Sequence, residues 1–586
     1  MHELIPLKTH AQIIGDPKTA GELLSTRSAG ARIGDIGIVC AACLVLLLPF
    51  LGKPFHVDDP MYLWTARQIA AKPLDFYGFS VNWSGHEEPI IEAMKNPPLV
   101  PYFIAGAAMF VGWTETALHA SFLLFALLAM AGMYLLAAHF CRQPLAAVIL
   151  MILCPAFLVS ATTLMCEVPL ICFWIWAVLL WIRGSNQSPW LLPLAGLATA
   201  AATLTKYSAI NLLPLLAAYA LLHPAPARTR VFQCVSWLIP VAVLAAYEHF
   251  TFVHYGRGLL SDAVGFSSTA NRQSPIPIGA KLLDATTFLG GGASALAILT
   301  IAVMRWRIRM AILASAPIFA LLARWKFSPP AGWENVGILS AAGGSSAWPF
   351  YLQCGFFAAA GVAVAIICLD GALRLLRQQQ WRNCVFFLLW IGGVFVFTAF
   401  LNWAVNARSI LPLLPPACIL AQVAIEHRGR KAIRPFTFAV LIAGLVVIVI
   451  AVADYQLAQA NRSAARRLAK SQQSPGQVWF AGHWGFQYYM QELGARRVDD
   501  QAPEYRAGDV LILPLNNYGF SPTFGGLKMF DTLEIGTLPW LTTMNGPMGA
   551  NFYFSPGDRL PFVVGQVPPE AFLILQVTRS HQPDVR

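Results

Sequence analysis

Charge is what this sequence has least of: Asp, Glu, Lys and Arg make up 12% of its 586 residues, against 57% hydrophobic ones, and the mean hydropathy is +0.58. A soluble globular chain carries roughly twice that share of charge. A water-soluble fold is therefore excluded and an integral membrane protein expected. Cysteine is missing beyond Cys418; all eleven lie from Cys40 to Cys418, in or beside apolar runs, which argues against a disulfide framework. Cys40 and Cys43 form a CxxC inside such a run and read as small buried hydrophobes, not a redox pair. The sequence also lacks an internal repeat, a low-complexity tract and a tight Asp/His constellation, so neither a repeat fold nor a metal or other cofactor is expected. No basic stripe with interleaved aromatics occurs, and the net charge of +11 is not read as nucleic-acid binding.

What is present in abundance is apolar length. Thirteen runs of about 15 to 23 residues, each able to cross or nearly cross a hydrocarbon core about 30 Å thick as a helix, recur in the sequence. They span 33–51, 117–139, 144–162, 168–182, 191–205, 208–222, 231–250, 283–303, 308–323, 351–369, 384–401, 410–425 and 436–452. The expected fold is mainly α, a polytopic membrane protein with about 13 transmembrane helices. Fourteen cations, from Arg142 and Arg183 through Arg305, Arg307 and Arg309 to Arg434, fall in short loops on one side, which the positive-inside rule makes cytoplasmic. Residues 1–32 then read as a cytoplasmic tail leading into an anchor rather than a cleaved signal peptide. Residues 454–586 are richer in Gly, Pro, Asn and Asp and hold no spanning run. The stretches 477–480 and "DVLILP" at 509–514 read as buried strands, with a helix from Gly485 between them: an extracytoplasmic α/β domain. Its His483, Trp484, Tyr488 and Tyr489 read as packing residues more than as a carbohydrate surface.

The outside loops are the chemically dense part. The first, 52–113, holds Asp58, Asp59, Arg67, His86, Glu87, Glu88, Glu92 and Lys95. Tyr62, Trp64, Arg67 and Ile69 recur at helical spacing, as in a helix lying on the membrane surface. Ionisable groups at the edge of hydrocarbon are costly unless paired, hydrated or functional. Asp58 and Asp59 leave the first span, Glu167 sits at the mouth of the fourth, and Lys206 divides a short hairpin. Taken singly, each has a structural reading: Asp-Asp-Pro starts a helix, Glu167 caps one, Lys206 snorkels to water. His56 reads as an ordinary residue at the aqueous edge. Together, carboxylates from separate helices are placed to hold a hydroxyl and take its proton, with a lysine beside them to hold a phosphate.

"DDPMYLWTARQIA" resembles the "DE…Y…AR" stretch that opens the first external loop of the C-type membrane glycosyltransferases, in the group of dolichyl-phosphate-mannose protein mannosyltransferases and lipid A aminoarabinose transferases. "KNPPLVPYFIAG" is similar to that group's "KPPLYYWL", "LMCEVPLICFW" to its "MTDVPL", "LATAAATLTKYSA" to its "LAFLTKG" and "NARSILPLLPPACIL" to its "RYLLPLLPPLAIL". The resemblance implies transfer of a sugar from a polyprenyl-phosphate-linked donor to a protein, glycolipid or glycan acceptor of the cell envelope, with inversion. The active site and C-terminal domain would face the extracytoplasmic side of a bacterial inner membrane. It makes Asp58 the base, with Asp59 and Glu167 as further catalytic acids, and gives Lys206, Arg408, Lys95, Tyr62 and Arg67 to substrate binding. Asp59 stands where the family usually has Glu, Glu167 where it has Asp, and Asn96 where a Lys or His precedes the paired prolines. The alternative is a polytopic transporter or flippase of lipid-linked or small substrates. An odd number of spans, no repeat and charges kept at one surface favour the enzyme.

Overall fold

A bilayer forces continuous apolar helices, and these dominate the chain. The computed structural model describes residues 29–273, 276–330, 347–470, 476–499, 504–517, 526–554 and 559–580; most of the expected tail, up to residue 28, lies outside them. Among the described residues nine helices are long and apolar enough to span a membrane, and two more spans are bent pairs. The protein is a mainly helical, multi-pass membrane protein. Nine of the thirteen expected runs lie on the long helices. The runs 144–162 and 283–303 correspond to the bent pairs, broken by 67° and 79°. Pro155 starts the second half of the first pair, where its missing N–H is cheapest. The remaining two are short helices, Leu192–Thr205 and Leu212–Leu222, on either side of Lys206.

Burial ranks the helices. Ala407–Glu426 and Glu167–Asn186 have most of their apolar stretch covered by protein, whereas Gly30–Phe50, Ala227–Tyr255 and Trp306–Lys326 form a rim left open to lipid. The two central helices each begin with a charged residue of interest, Glu167 and, one residue in, Arg408.

The last span does not stop where expected. Ile433–Lys470 is one helix of 38 residues, about 57 Å at 1.5 Å per residue, far longer than a hydrocarbon core. Leu441 and Leu445 are exposed on it, while Ala453, Asp454, Ala458, Ala464 and Ala465 are buried. The boundary drawn at 454 thus falls inside a helix that leaves the bilayer and runs on beneath the C-terminal domain. Composition marks where apolar residues end, and a helix outlasts its apolar face.

The C-terminal domain carries a five-stranded sheet. Arg496–Arg497, Val478–Phe480 and Val510–Pro514 run parallel; Glu570–Val577 pairs antiparallel with Val510–Pro514 and with the edge strand Leu527–Ile535. The helix Trp484–Glu492 packs on this sheet through Phe486, which meets Phe480 and Phe572.

The same helix clamps the loop that follows the first span. That loop contains the helix Asp59–Ala71, a hairpin of Ser80–Asn82 with Glu87–Pro89, and the apolar helix Leu99–Val111. The Tyr489 hydroxyl accepts the Phe55 N–H at 2.9 Å and donates to Glu115 at 2.9 Å; Asn82 donates to the Val498 carbonyl and accepts from Gln487. The expectation of a surface-lying helix over Tyr62 to Ile69 is corrected here: Met61, Tyr62, Leu63, Ala66 and Ile69 are buried in protein. At Gly485 a Cβ would stand 2.1 Å from the Phe55 carbonyl oxygen. Gly485→Ala is accordingly expected to destabilise the docked domain by about 1–3 kcal/mol, read as an earlier thermal melt in detergent. An unchanged melt would show that the contact relaxes freely.

Candidate active site

The site is built by four helix ends. His56, Val57 and Asp58 form the tight turn that starts the Asp59–Ala71 helix with Pro60 in its first turn. Val57 is buried with φ +47, a left-handed conformation costly for a β-branched residue and typical of over-determined functional turns. Asp58 holds the N-cap position, yet among the described residues its side chain makes no capping bond. Asp59 fixes the turn instead: its Oδ2 accepts the His56 N–H and its Oδ1 accepts the Leu164 N–H, both at 2.8 Å. Asp58 is thereby released to face across the bundle.

What it faces is Arg408, on the short helix Ala407–Leu413 that Asn406 caps through the Ser409 N–H. Arg408 Nη2 lies 3.2 Å from Asp58 Oδ2, and Nη1 lies 3.4 Å from Glu167 Oε1. Lys206 Nζ lies 3.0 Å from the same Glu167 oxygen. Lys206 ends the Leu192–Thr205 helix with extended backbone, φ −156 and ψ 131, which turns its side chain toward Glu167. Two acids and two bases from separate segments thus form one chain of contacts, Asp58 to Arg408 to Glu167 to Lys206.

Access divides them. Side-chain exposure is 26% for Asp58 and 25% for Lys206, but 10% for Arg408 and 2% for Glu167. The outer members reach solvent; the inner two hold them apart. Glu167 Oε2 is buried and, among the described residues, without a hydrogen-bond partner. Desolvation pushes the Asp58 carboxyl above the ordinary carboxylate range, with Arg408 pulling it down and Glu167 pushing it up. Burial raises Asp59 to about 7, against the pull of its backbone donors. Tyr62 is buried, accepts from Asn96 Nδ2 at 3.1 Å, and is held protonated by burial and by Cys166 and Glu167 nearby.

Three expected site residues have their contacts outside this chain of four. Asp59 contacts backbone donors and fixes the turn. Arg67 pairs with Glu492 at 2.6 Å and donates to the Tyr488 hydroxyl at 2.9 Å, tying the first loop to the C-terminal domain. Lys95 is engaged by Asp262 at 2.7 Å and Glu92 at 3.5 Å. Its nearest expected partner role, a phosphate, would have to displace both carboxylates.

A buried hub behind Asp58 escaped the sequence reading. Asp454 Oδ2 accepts from Lys53 Nζ at 2.5 Å and from the Tyr553 hydroxyl at 2.7 Å, while Oδ1 accepts from Thr543 at 2.6 Å. Lys53 and Asp454 are both wholly buried, and His56, also buried, lies 3.7 Å from Asp454. Burial lowers His56 to about 4, so it is neutral at physiological pH. His56 is therefore an interior residue, not one at an aqueous edge. The available signal was the one used for Asp58: a lone charge, Lys53 or Asp454, where an apolar run ends.

The fold and this site define a multi-pass membrane protein with paired acids and bases gathered at one end of its helices. Residues 95–249, which include Glu167 and Lys206, match the model of the dolichyl-phosphate-mannose-protein mannosyltransferase family. No curated protein matches the chain. Among solved structures it is similar to an oligosaccharyltransferase from Archaeoglobus fulgidus, at 12% identity and TM-score 0.48, over 80% of this chain and 64% of that one. It is similar to ArnT from Cupriavidus metallidurans, at 14% identity and TM-score 0.37, over 83% of this chain and 94% of that one. The S. cerevisiae protein O-mannosyltransferase Pmt1-Pmt2 complex is similar at 15% identity and TM-score 0.33, over 41% of this chain and 36% of that one. The chain thus spans less than two thirds of the archaeal protein's length.

Proposed function

We propose that this chain is a glycosyltransferase that moves a sugar from a polyprenyl-phosphate-linked donor to an envelope acceptor, protein, glycolipid or glycan, outside a bacterial inner membrane. The observation that carries the proposal is the continuous chain Asp58, Arg408, Glu167, Lys206, with the acid and the amine at its two open ends. An acceptor hydroxyl gives its proton to the Asp58 carboxylate as its oxygen bonds to the anomeric carbon. The bond from that carbon to the phosphate oxygen breaks, and its electron pair stays on the polyprenyl phosphate. Phosphate is a competent leaving group and needs fixed cations rather than a proton donor; Lys206, whose ammonium carries further N–H donors beyond the bond to Glu167, and Arg408 supply them. Base at one end and cation at the other suit attack and departure on opposite faces of the sugar, hence inversion. Glu167 orients both cations and Asp59 sets the turn; Arg67 and Lys95 are assigned to structure. The one-sided distribution of cations in the short loops supports an extracytoplasmic site.

The test is mass spectrometry of envelope glycans and lipid-linked sugars from a deletion strain. One modification should vanish while a polyprenyl-phosphate sugar accumulates, and purified enzyme in liposomes should restore the transfer. Accumulation on the inner leaflet alone, with no transfer by the purified chain, would instead assign translocation.

A further inference from the structure

Arg408 has more to bind than its two carboxylates. The Tyr553 carbonyl, delivered by the C-terminal domain, accepts from Arg408 Nη2 at 2.5 Å and from Nε at 3.1 Å. The Tyr553 ring centre lies 5.4 Å from the guanidinium carbon, and the preceding carbonyl, of Phe552, accepts the Ala407 N–H at 3.2 Å. Nη2 therefore makes its short bond to a neutral carbonyl and only a 3.2 Å contact to Asp58. An arginine free of that carbonyl would close on Asp58 as a charge-assisted, bidentate pair, the stronger arrangement for this couple. Tyr553 is in turn anchored through its hydroxyl to the Asp454 hub, where Lys53 and Thr543 complete the acceptor's bonds.

We infer that Tyr553 is a positioning residue: anchored on Asp454, it holds Arg408 partly off Asp58, so that the C-terminal domain completes the active site and keeps its carboxylate available as a base. The inference rests on the transfer reaction proposed above. A carboxylate fully paired with arginine is a weaker base, and Brønsted behaviour makes the rate fall with it. The groups that face Asp58 are Arg408, Glu167 and Lys206 across the site and Asp59 and Tyr62 on its own helix. Of these, among the described residues, only Arg408 touches Tyr553 through polar contacts.

Tyr553→Phe removes the anchor and keeps the ring and the carbonyl. In purified enzyme assayed with a polyprenyl-phosphate sugar, its acid limb of kcat/KM should move to lower pH by about half a unit to one unit, and the plateau should fall by about two- to threefold. Thr543→Val removes another bond to Asp454 without touching Tyr553. It should lower the thermal melt and leave the limb in place. The inference is overturned if the limb of Tyr553→Phe stays at the wild-type pH, or if Thr543→Val moves it as far. It is also overturned if Tyr553→Phe fails to accumulate in the membrane, since the role of the hydroxyl would then be structural. Full activity of Asp58→Asn, by contrast, would remove the reading of the site itself and not this inference alone.

Discussion

Replacing Asp58 by asparagine is expected to lower transfer by roughly 10²- to 10⁴-fold, the range that a positioned general base contributes, without loss of the folded protein. The stability half of this expectation follows from Asp58 making no capping bond among the described residues; the turn is held by Asp59, and an asparagine side chain is isosteric with the acid it replaces. Its amide still meets Arg408 but takes no proton. The wild-type profile has a matching sign: Asp58 must be deprotonated to act, so kcat/KM should fall as the pH drops through a pKa lying above the ordinary carboxylate value. That limb should disappear from the residual activity of Asp58→Asn. Asp59→Asn is the counterpart. It weakens acceptance of the His56 and Leu164 N–H groups, so its loss should appear as a lower melting temperature accompanied by reduced activity. Wild-type turnover by Asp58→Asn in detergent, with donor and acceptor saturating, would end the assignment.

How much of this was visible in the sequence depends on the range over which each residue finds its partner. Span-forming runs are legible because a bilayer demands that a segment satisfy its own backbone locally. Glu167 and Lys206 were legible because a charge beside hydrocarbon has few cheap explanations. The contacts of Asp59 were not legible because one of its donors, the Leu164 N–H, lies 105 residues away. Those of Arg67 were hidden for the same reason, its partners Tyr488 and Glu492 lying more than 400 residues away. Two adjacent aspartates look alike in sequence; a left-handed Val57 between them and His56 sends one to the backbone and the other to Arg408. Tyr553 was invisible because the hydrogen bonds it accepts from Arg408 go to its carbonyl, which every residue has. The break at 454 failed on different grounds: the Ile433–Lys470 helix changes from lipid-facing to domain-facing without interruption, and buried alanines read as neither.

Glu167→Gln is expected to have the second largest effect, about a hundredfold in kcat, because among the described residues its carboxylate is the contact that joins Arg408 to Lys206. Without it two cations share a largely buried site with Asp58 alone. Breaking a buried pair costs on the order of 3–5 kcal/mol, reduced here because Lys206 is a quarter exposed and regains water. Relieved of a neighbouring anion, Asp58 titrates lower and becomes a poorer base, so chemistry suffers more than donor binding. Lys206→Met should show the opposite split, a raised KM for the lipid donor with a smaller fall in kcat, since it removes a phosphate contact and leaves the base intact. Because Glu167 positions Lys206, the donor-binding losses should not add: in the Glu167→Gln background, Lys206→Met should raise the donor KM little further. Strictly additive losses across that cycle would mean that the acid and the amine work at separate places, and the chain of contacts from Asp58 to Lys206 would lose its functional meaning.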